Sequence, residues 1–140
     1  MTTNEDRIRS YFAACSSGSS SEVASHFTED AVIYDTNHPP IMSAEAIGDF
    51  WAQICDKWEG ARWIVERVVS SGETAAIEWR MDGINNGRDF QIRGSEHYQF
   101  EGSHIAEIRQ YWTFDSEDPG GGLIDYPYMQ QDRLGSNDIV

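Results

Sequence analysis

The chain has 140 residues, with 10 basic against 24 acidic side chains and a formal net charge of −14; that length suits one domain able to bury a core without metals or disulfides. A field of that sign repels phosphate backbones and anionic lipid headgroups, so nucleic acid is not an expected partner. The N-terminus is polar before any apolar run and no stretch approaches bilayer-spanning length, which reads as a cytoplasmic protein without a membrane partner.

Thr3 followed by Asp6 has the form of a capping box with Asp in the Glu place. Ile8, Tyr11, Phe12 and Cys15 then recur on one helical face, predicting a first helix that ends near Ser16. Cys15 and Cys55 both fall in helix-like apolar patterns, as reduced core residues of a reducing compartment do, and no disulfide is needed. After a polar turn around Gly18, Val23, Ala24 and Phe27 predict a short second helix packed on the first as a hairpin. Ala31 to Tyr34 is a short β-prone run, and Pro39-Pro40 deny it any continuation, so Asp35 stands at a strand end. Side chains there are often aimed at a ligand, but on this stretch alone an Asx-turn serving only its own loop ranks first. Ser43 as N-cap, Glu45 in the first turn and the stripe Ile47, Phe50, Trp51, Ile54, Trp58 predict a third helix running to Gly60.

From Ala61 the period becomes two. Ala61 to Val69, Thr74 to Gly83, Arg88 to Phe100 and Ile105 to Asp115 read as four strands joined by short Gly-containing turns, hence an antiparallel meander. Helices first and strands later predict an α+β fold, three N-terminal helices on one face of a cone-shaped, curved antiparallel sheet. Residues 1–115 form this domain. The tail, 116–140, opens with Pro119-Gly120-Gly121-Gly122 and has no clear period; it is a cover for the pocket, a contact to a partner chain, or partly disordered.

Alternation then assigns faces. In the second long strand Ala75, Ile77, Trp79 and Met81 face the helices, leaving Glu78, Arg80 and Asp82 outside. In the third, Phe90, Ile92, Gly94, Tyr98 and Phe100 face inward and carry Glu96 with them by parity; in the fourth, Ala106, Ile108, Trp112 and Phe114 carry Gln110. A carboxyl so placed must be paired, protonated or set beside water or ligand, unless it reaches an Arg at the sheet edge, and a bulge at Gly94 would reverse these faces.

This order of elements resembles the nuclear transport factor 2-like superfamily over roughly residues 4 to 115. Within it the segments Ile77-Glu78-Trp79-Arg80-Met81-Asp82-Gly83, Arg93-Gly94 and Ile105-Ala106-Glu107-Ile108-Arg109-Gln110-Tyr111-Trp112 are similar to the SnoaL-like group. A narrower resemblance is to ketosteroid isomerase. Tyr11 and Asp35 lie at that family's interval, Phe27, Asp30 and Ala31 fall in register between them, and Glu96 stands four residues before Phe100, where that family keeps a protonated acid. The resemblance implies Asp35 as a proton-transfer base and Tyr11 with Glu96 as the oxyanion hole, Glu being one methylene longer than the family's Asp. The candidate substrate contacts are Trp51 on the third helix and, on the inward strand faces, Trp79, Met81, Tyr98, Gln110 and Trp112. A second likeness, to limonene epoxide hydrolase through Arg80-Met81-Asp82, is weaker: ungapped counting sets Trp79 and Met81 at the active positions, and Gln110 replaces the last Asp.

Asp35 with His38, or His26 with His38, could ligate a metal, but loop histidines beside prolines are usually solvated, and the sequence has no clustered ligand set, no phosphate loop, no nucleophile motif and no dinucleotide fingerprint. The expectation is therefore a cofactor-independent isomerase, cyclase or dehydratase acting on a small, largely apolar carbonyl compound, steroid-like or polyketide-like. Its rival is a non-catalytic ligand-binding or assembly domain, and epoxide hydrolysis ranks below both. The mixed-charge set Glu78, Arg80, Asp82, Glu107, Arg109 and Tyr111 points to a homodimer through the outer sheet face.

Overall fold

The computed structural model describes residues 1–115, 117 and 120–130. Helix α1 spans Asn4–Ser17. It starts on the Thr3–Asp6 capping box and stops at Gly18, whose φ of 76° supplies the left-handed turn that closes a helix. Helix α2 is short, Ser20–Ala24. The third helix, α3, spans Ala44–Lys57, and its N-cap Ser43 accepts from the Ala46 N–H.

The strands are β1 (Phe27–Asp35), β2 (Ile41–Met42), β3 (Glu59–Ser71), β4 (Thr74–Asn85), β5 (Arg88–Glu101) and β6 (His104–Trp112), in the sheet order β2-β1-β6-β5-β4-β3. The four-strand meander is β3 to β6 and is antiparallel throughout. Strand β1, however, lies parallel to β6, so the α+β sheet as a whole is mixed rather than antiparallel. The chain between β1 and β6 holds α3 and the other strands, and so reaches the free edge of β6 by a long connection, as parallel pairing requires.

Two local expectations are corrected. Phe27 belongs to β1, where it opposes Ile105, and not to the second helix. The Ile105 N–H donates to His26 O at 2.9 Å, so the sheet takes up the backbone as soon as the helix ends. On β6 the pairing steps from Gln99↔Glu107 to Phe100↔Ile105, leaving Ala106 as the extra residue of a bulge. The bulge shifts parity, and Ile105 points inward in place of Ala106.

At Gly94 the pairing with β6 runs on without a break. A Cβ there would lie 2.7 Å from Trp79 Cζ2, 2.7 Å from Tyr111 O and 2.8 Å from Trp112 Cβ. The backbone oxygen cannot move aside, so Gly94→Ala is expected to cost about 1–3 kcal/mol by overpacking. A urea midpoint lowered at unchanged slope would show it.

The core fills the space between the helices and the inner face of the sheet, with Ile8, Tyr11, Ile33, Ile47, Ile92, Tyr98, Phe100 and Ile108 among its most deeply buried members. Helix α1 rests on β3, and α2 and β1 pack against α3. Burial is uneven along this space, and Phe50, Ile54, Trp58, Trp112 and Phe114 are only partly covered. No helix among the described residues is long and apolar enough to cross a membrane.

Candidate functional site

Asp35 ends β1 opposite Gln110 of β6, so the parallel pair brings an acid and an amide from distant segments side by side. Its side chain has no exposed surface. Asp35 Oδ2 accepts from Gln110 Nε2 at 2.5 Å and from the Trp112 indole N–H at 2.7 Å. Asp35 Oδ1 accepts from the Asn37 N–H at 2.7 Å, so the Asx-turn is also present. The Asx-turn and the buried contacts use different oxygens of one carboxylate. All three partners are N–H donors, an arrangement that suits a charged acceptor.

His38, read from sequence as a solvated loop residue or half of a metal pair, sits on the same carboxylate, Nε2 lying 3.5 Å from Asp35 Oδ2 and the ring packing on Phe50. Prolines on one side suggested solvent; the turn around Asp35 folds the ring back instead. His26 does not join it, being held by Glu22 O and Ser10 Oγ. Among the described residues no group of three or more His, Cys, Asp or Glu side chains could hold a metal.

Glu96 is 3% exposed and faces Gln110 across the β5–β6 pair. Burial pushes its carboxyl up to about 8; the Tyr98 hydroxyl, donating to Glu96 Oε1 at 2.5 Å, opposes the rise, and the negative charge of Asp35 adds to it. Gln110 thus separates two carboxyls of different character. Its amide N–H serves Asp35, and its Oε1 is buried with no protein partner.

Tyr11 is 1% exposed, ringed by Phe12, Phe27 and His26. Burial first, then the charges of Cys15 and Glu96, hold its hydroxyl well above the ordinary phenol value. Tyr11, Tyr98 and Glu96 therefore lie within electrostatic reach of one another. The Trp51 indole packs edge-on to Phe50 and Trp63, and its buried N–H has no hydrogen-bond partner. Trp79 contacts Trp112 edge-to-face at 6.0 Å, and its indole N–H is likewise buried and unpartnered. Each such unpaired buried group costs about 1–3 kcal/mol. Met81 is buried two residues beyond Trp79 on the same strand face.

Arg80 and Asp82 lie on the opposite face, where Arg80 Nε donates to Asp82 Oδ1 at 2.8 Å. No local pattern pointed to their neighbour Glu66, a 7% exposed carboxylate where the β3–β4 register shifts, held by Arg80 at 3.5 Å and Arg93 at 3.4 Å. The Tyr128 ring covers the Arg93 guanidinium at 4.0 Å. The described part of the tail therefore lies over the outer face. It roofs a cavity of about 430 Å³ whose walls include Glu66, Arg93, Tyr111, Trp79 and Trp112, while Asp35 and Glu96 do not line it.

A comparison with curated protein sequences finds no match. Solved structures share the fold. One is a protein of unknown function with a cystatin-like fold from Methylobium petroleophilum PM1, 23% identical, with a TM-score of 0.70 over 89% of this chain and 86% of that one. Another is a hypothetical protein with a ketosteroid isomerase-like fold from Catenulispora acidiphila, in complex with trimethylamine, 19% identical, with a TM-score of 0.71 over 82% and 90%. A third is a putative SnoaL-like polyketide cyclase from Jannaschia sp. CCS1, 13% identical, with a TM-score of 0.66 over 78% and 84%. At these identities the likeness is one of fold. The sequence model of the SnoaL-like domain matches residues 8–108, from within α1 to the middle of β6, and the chain belongs to that family.

Proposed function

We propose that this SnoaL-like protein is a cofactor-independent enzyme that moves a proton on a small, largely apolar carbonyl compound, with Asp35 as base and Tyr11 and Glu96 as hydrogen-bond donors to the enolate oxygen. The observation that carries the reading is the pair of carboxyls on either side of Gln110. Asp35 accepts three N–H groups, and Glu96 is pushed up to about 8 by burial. Environments that set two carboxyls apart are what acid–base chemistry needs. Tyr98 occupies Glu96 Oε1 as a donor, which leaves the acid proton to Oε2. The partly covered ring of Phe50, Trp58, Trp112 and Phe114 is the way in for an apolar ligand.

The test is exchange of the α-protons of 1-tetralone in D2O, followed by NMR. Exchange above the buffer rate that depends on Asp35 supports the assignment. A rate equal to buffer turns the reading to a binding domain.

The same reading includes a homodimer through the outer sheet face, around Glu107 and Arg109, which do not line the cavity under the tail. Sedimentation at micromolar concentration should give the dimer mass. A monomer at that concentration removes the proposal.

A further inference from the structure

Asp35 is well supplied with donors and poorly supplied with an exit for a proton. Its side chain has no exposed surface. Gln110 Nε2, the Trp112 indole and the Asn37 backbone each give it an N–H, and none of those nitrogens has a basic lone pair to take a proton in return. A proton that the carboxylate removes from a ligand can go back to the carbon it left. To exchange with solvent it needs a path to water.

Among the described residues in contact with that carboxylate, His38 alone offers one. Its Nδ1 lies 2.9 Å from Pro39 O. A carbonyl oxygen only accepts, so Nδ1 carries the ring hydrogen and the neutral ring presents the Nε2 lone pair. Nε2 lies 3.5 Å from Asp35 Oδ2, longer than a formed N–H···O bond of about 2.7–3.2 Å. Two lone pairs facing each other account for the gap, and a proton on Oδ2 gives them a hydrogen bond to share. Phe50 of α3 packs on the ring at 5.0 Å between centroids. The His38 side chain is 25% exposed while that of Asp35 is sealed, so the imidazole meets the buried base with Nε2 and also reaches solvent.

We infer that His38 is the proton relay between Asp35 and water. The α C–H bond of the ligand breaks, its electron pair moves into the enolate, and the proton forms an O–H bond at Asp35 Oδ2. Oδ2 passes that proton to His38 Nε2, which restores the carboxylate and makes an imidazolium, and the imidazolium releases a proton to water. In D2O a deuteron returns by the same steps in reverse. The inference rests on the proposed role of Asp35 as base and adds a residue that acts through Asp35 without touching the ligand.

The experiment follows exchange of the α-protons of 1-tetralone in D2O for the wild type, Asp35→Asn, His38→Gln and His38→Ala, with 1-tetralone binding and urea midpoints measured alongside. Gln keeps a polar side chain but has no basic nitrogen. Without the relay most protons return to the carbon they left, so both His38 variants should exchange about tenfold to a hundredfold more slowly while still binding 1-tetralone. Added imidazole should restore much of the rate in His38→Ala, where the space of the ring is open, and should not help Asp35→Asn. Pyrazole, of the same shape and far less basic, should restore none of it. Exchange at the wild-type rate in the His38 variants, or slow exchange that imidazole leaves unchanged, overturns the relay; if Asp35→Asn is inactive in the same assay, the base remains. Wild-type exchange no faster than buffer removes base and relay together.

Discussion

Asp35→Asn is expected to lower α-proton exchange on 1-tetralone by about two to four orders of magnitude while the ketone still binds. The amide keeps the shape of the carboxylate and loses its basicity. The hydrogen bonds say how the variant will sit. Gln110 Nε2 and the Trp112 indole both donate to Oδ2, and the Asn37 N–H donates to Oδ1. An Asn can offer one oxygen only. Keeping it toward Gln110 and Trp112 leaves an NH2 facing the Asn37 N–H, donor against donor, at a cost of about 1–3 kcal/mol. A modest loss of stability should therefore accompany the large loss of exchange. If exchange survives in Asp35→Asn at the wild-type rate, Asp35 is not the base, and ligand binding without proton transfer becomes the better account of the fold.

Glu96 should make the fold less stable as pH rises through the neutral range. Its carboxyl keeps its proton in the folded protein up to about 8, against an ordinary value of 4.5, because burial penalises the charge. Between those values the unfolded chain has released a proton that the folded chain still holds, so unfolding is favoured by rising pH. The loss is about 1.4 kcal/mol per pH unit at its steepest, on the order of 5 kcal/mol in all, and it levels off above about pH 8. Glu96→Gln cannot titrate, so urea midpoints from about pH 5 to 9 should converge on or cross those of the wild type as pH rises. Parallel curves would mean that Glu96 does not change its protonation in this window. In exchange assays the same variant keeps a donor for the enolate oxygen and should lose far less activity than Glu96→Ala. Above about pH 8 the wild type should lose exchange as the donor proton leaves, while Glu96→Gln should not.

Much of the molecule was legible because its signals are local. The stripe from Ile47 to Trp58 is a helix face whatever it packs on, and Ser43 is a cap because its hydroxyl sits three residues before the Ala46 N–H. Strict alternation carried Trp79, Met81, Glu96, Tyr98 and Gln110 to one side of the sheet and Arg80 and Asp82 to the other, since parity survives wherever no bulge intervenes. It failed at Ala106, where a bulge inserts one residue. It was silent on Glu66, whose burial comes from a register shift and from two arginines of other strands. Bulges follow from how two strands meet, and neither strand announces them alone.

Local pattern was enough for the α+β class, the order of helices and strands, the strand end that carries Asp35 and the inward parity of Glu96. Long-range packing chose that β1 would join β6 in parallel and so set Asp35 against Gln110 and Trp112, that His38 would fold back on that carboxylate, and that the tail would lie over Arg93 on the outer face. Periodicity is fixed by bonds between near neighbours. Which free sheet edge a strand adopts, across a separation of 75 residues, depends on backbone hydrogen bonds that every residue offers alike, and on the loop-closure entropy and packing that choose among them.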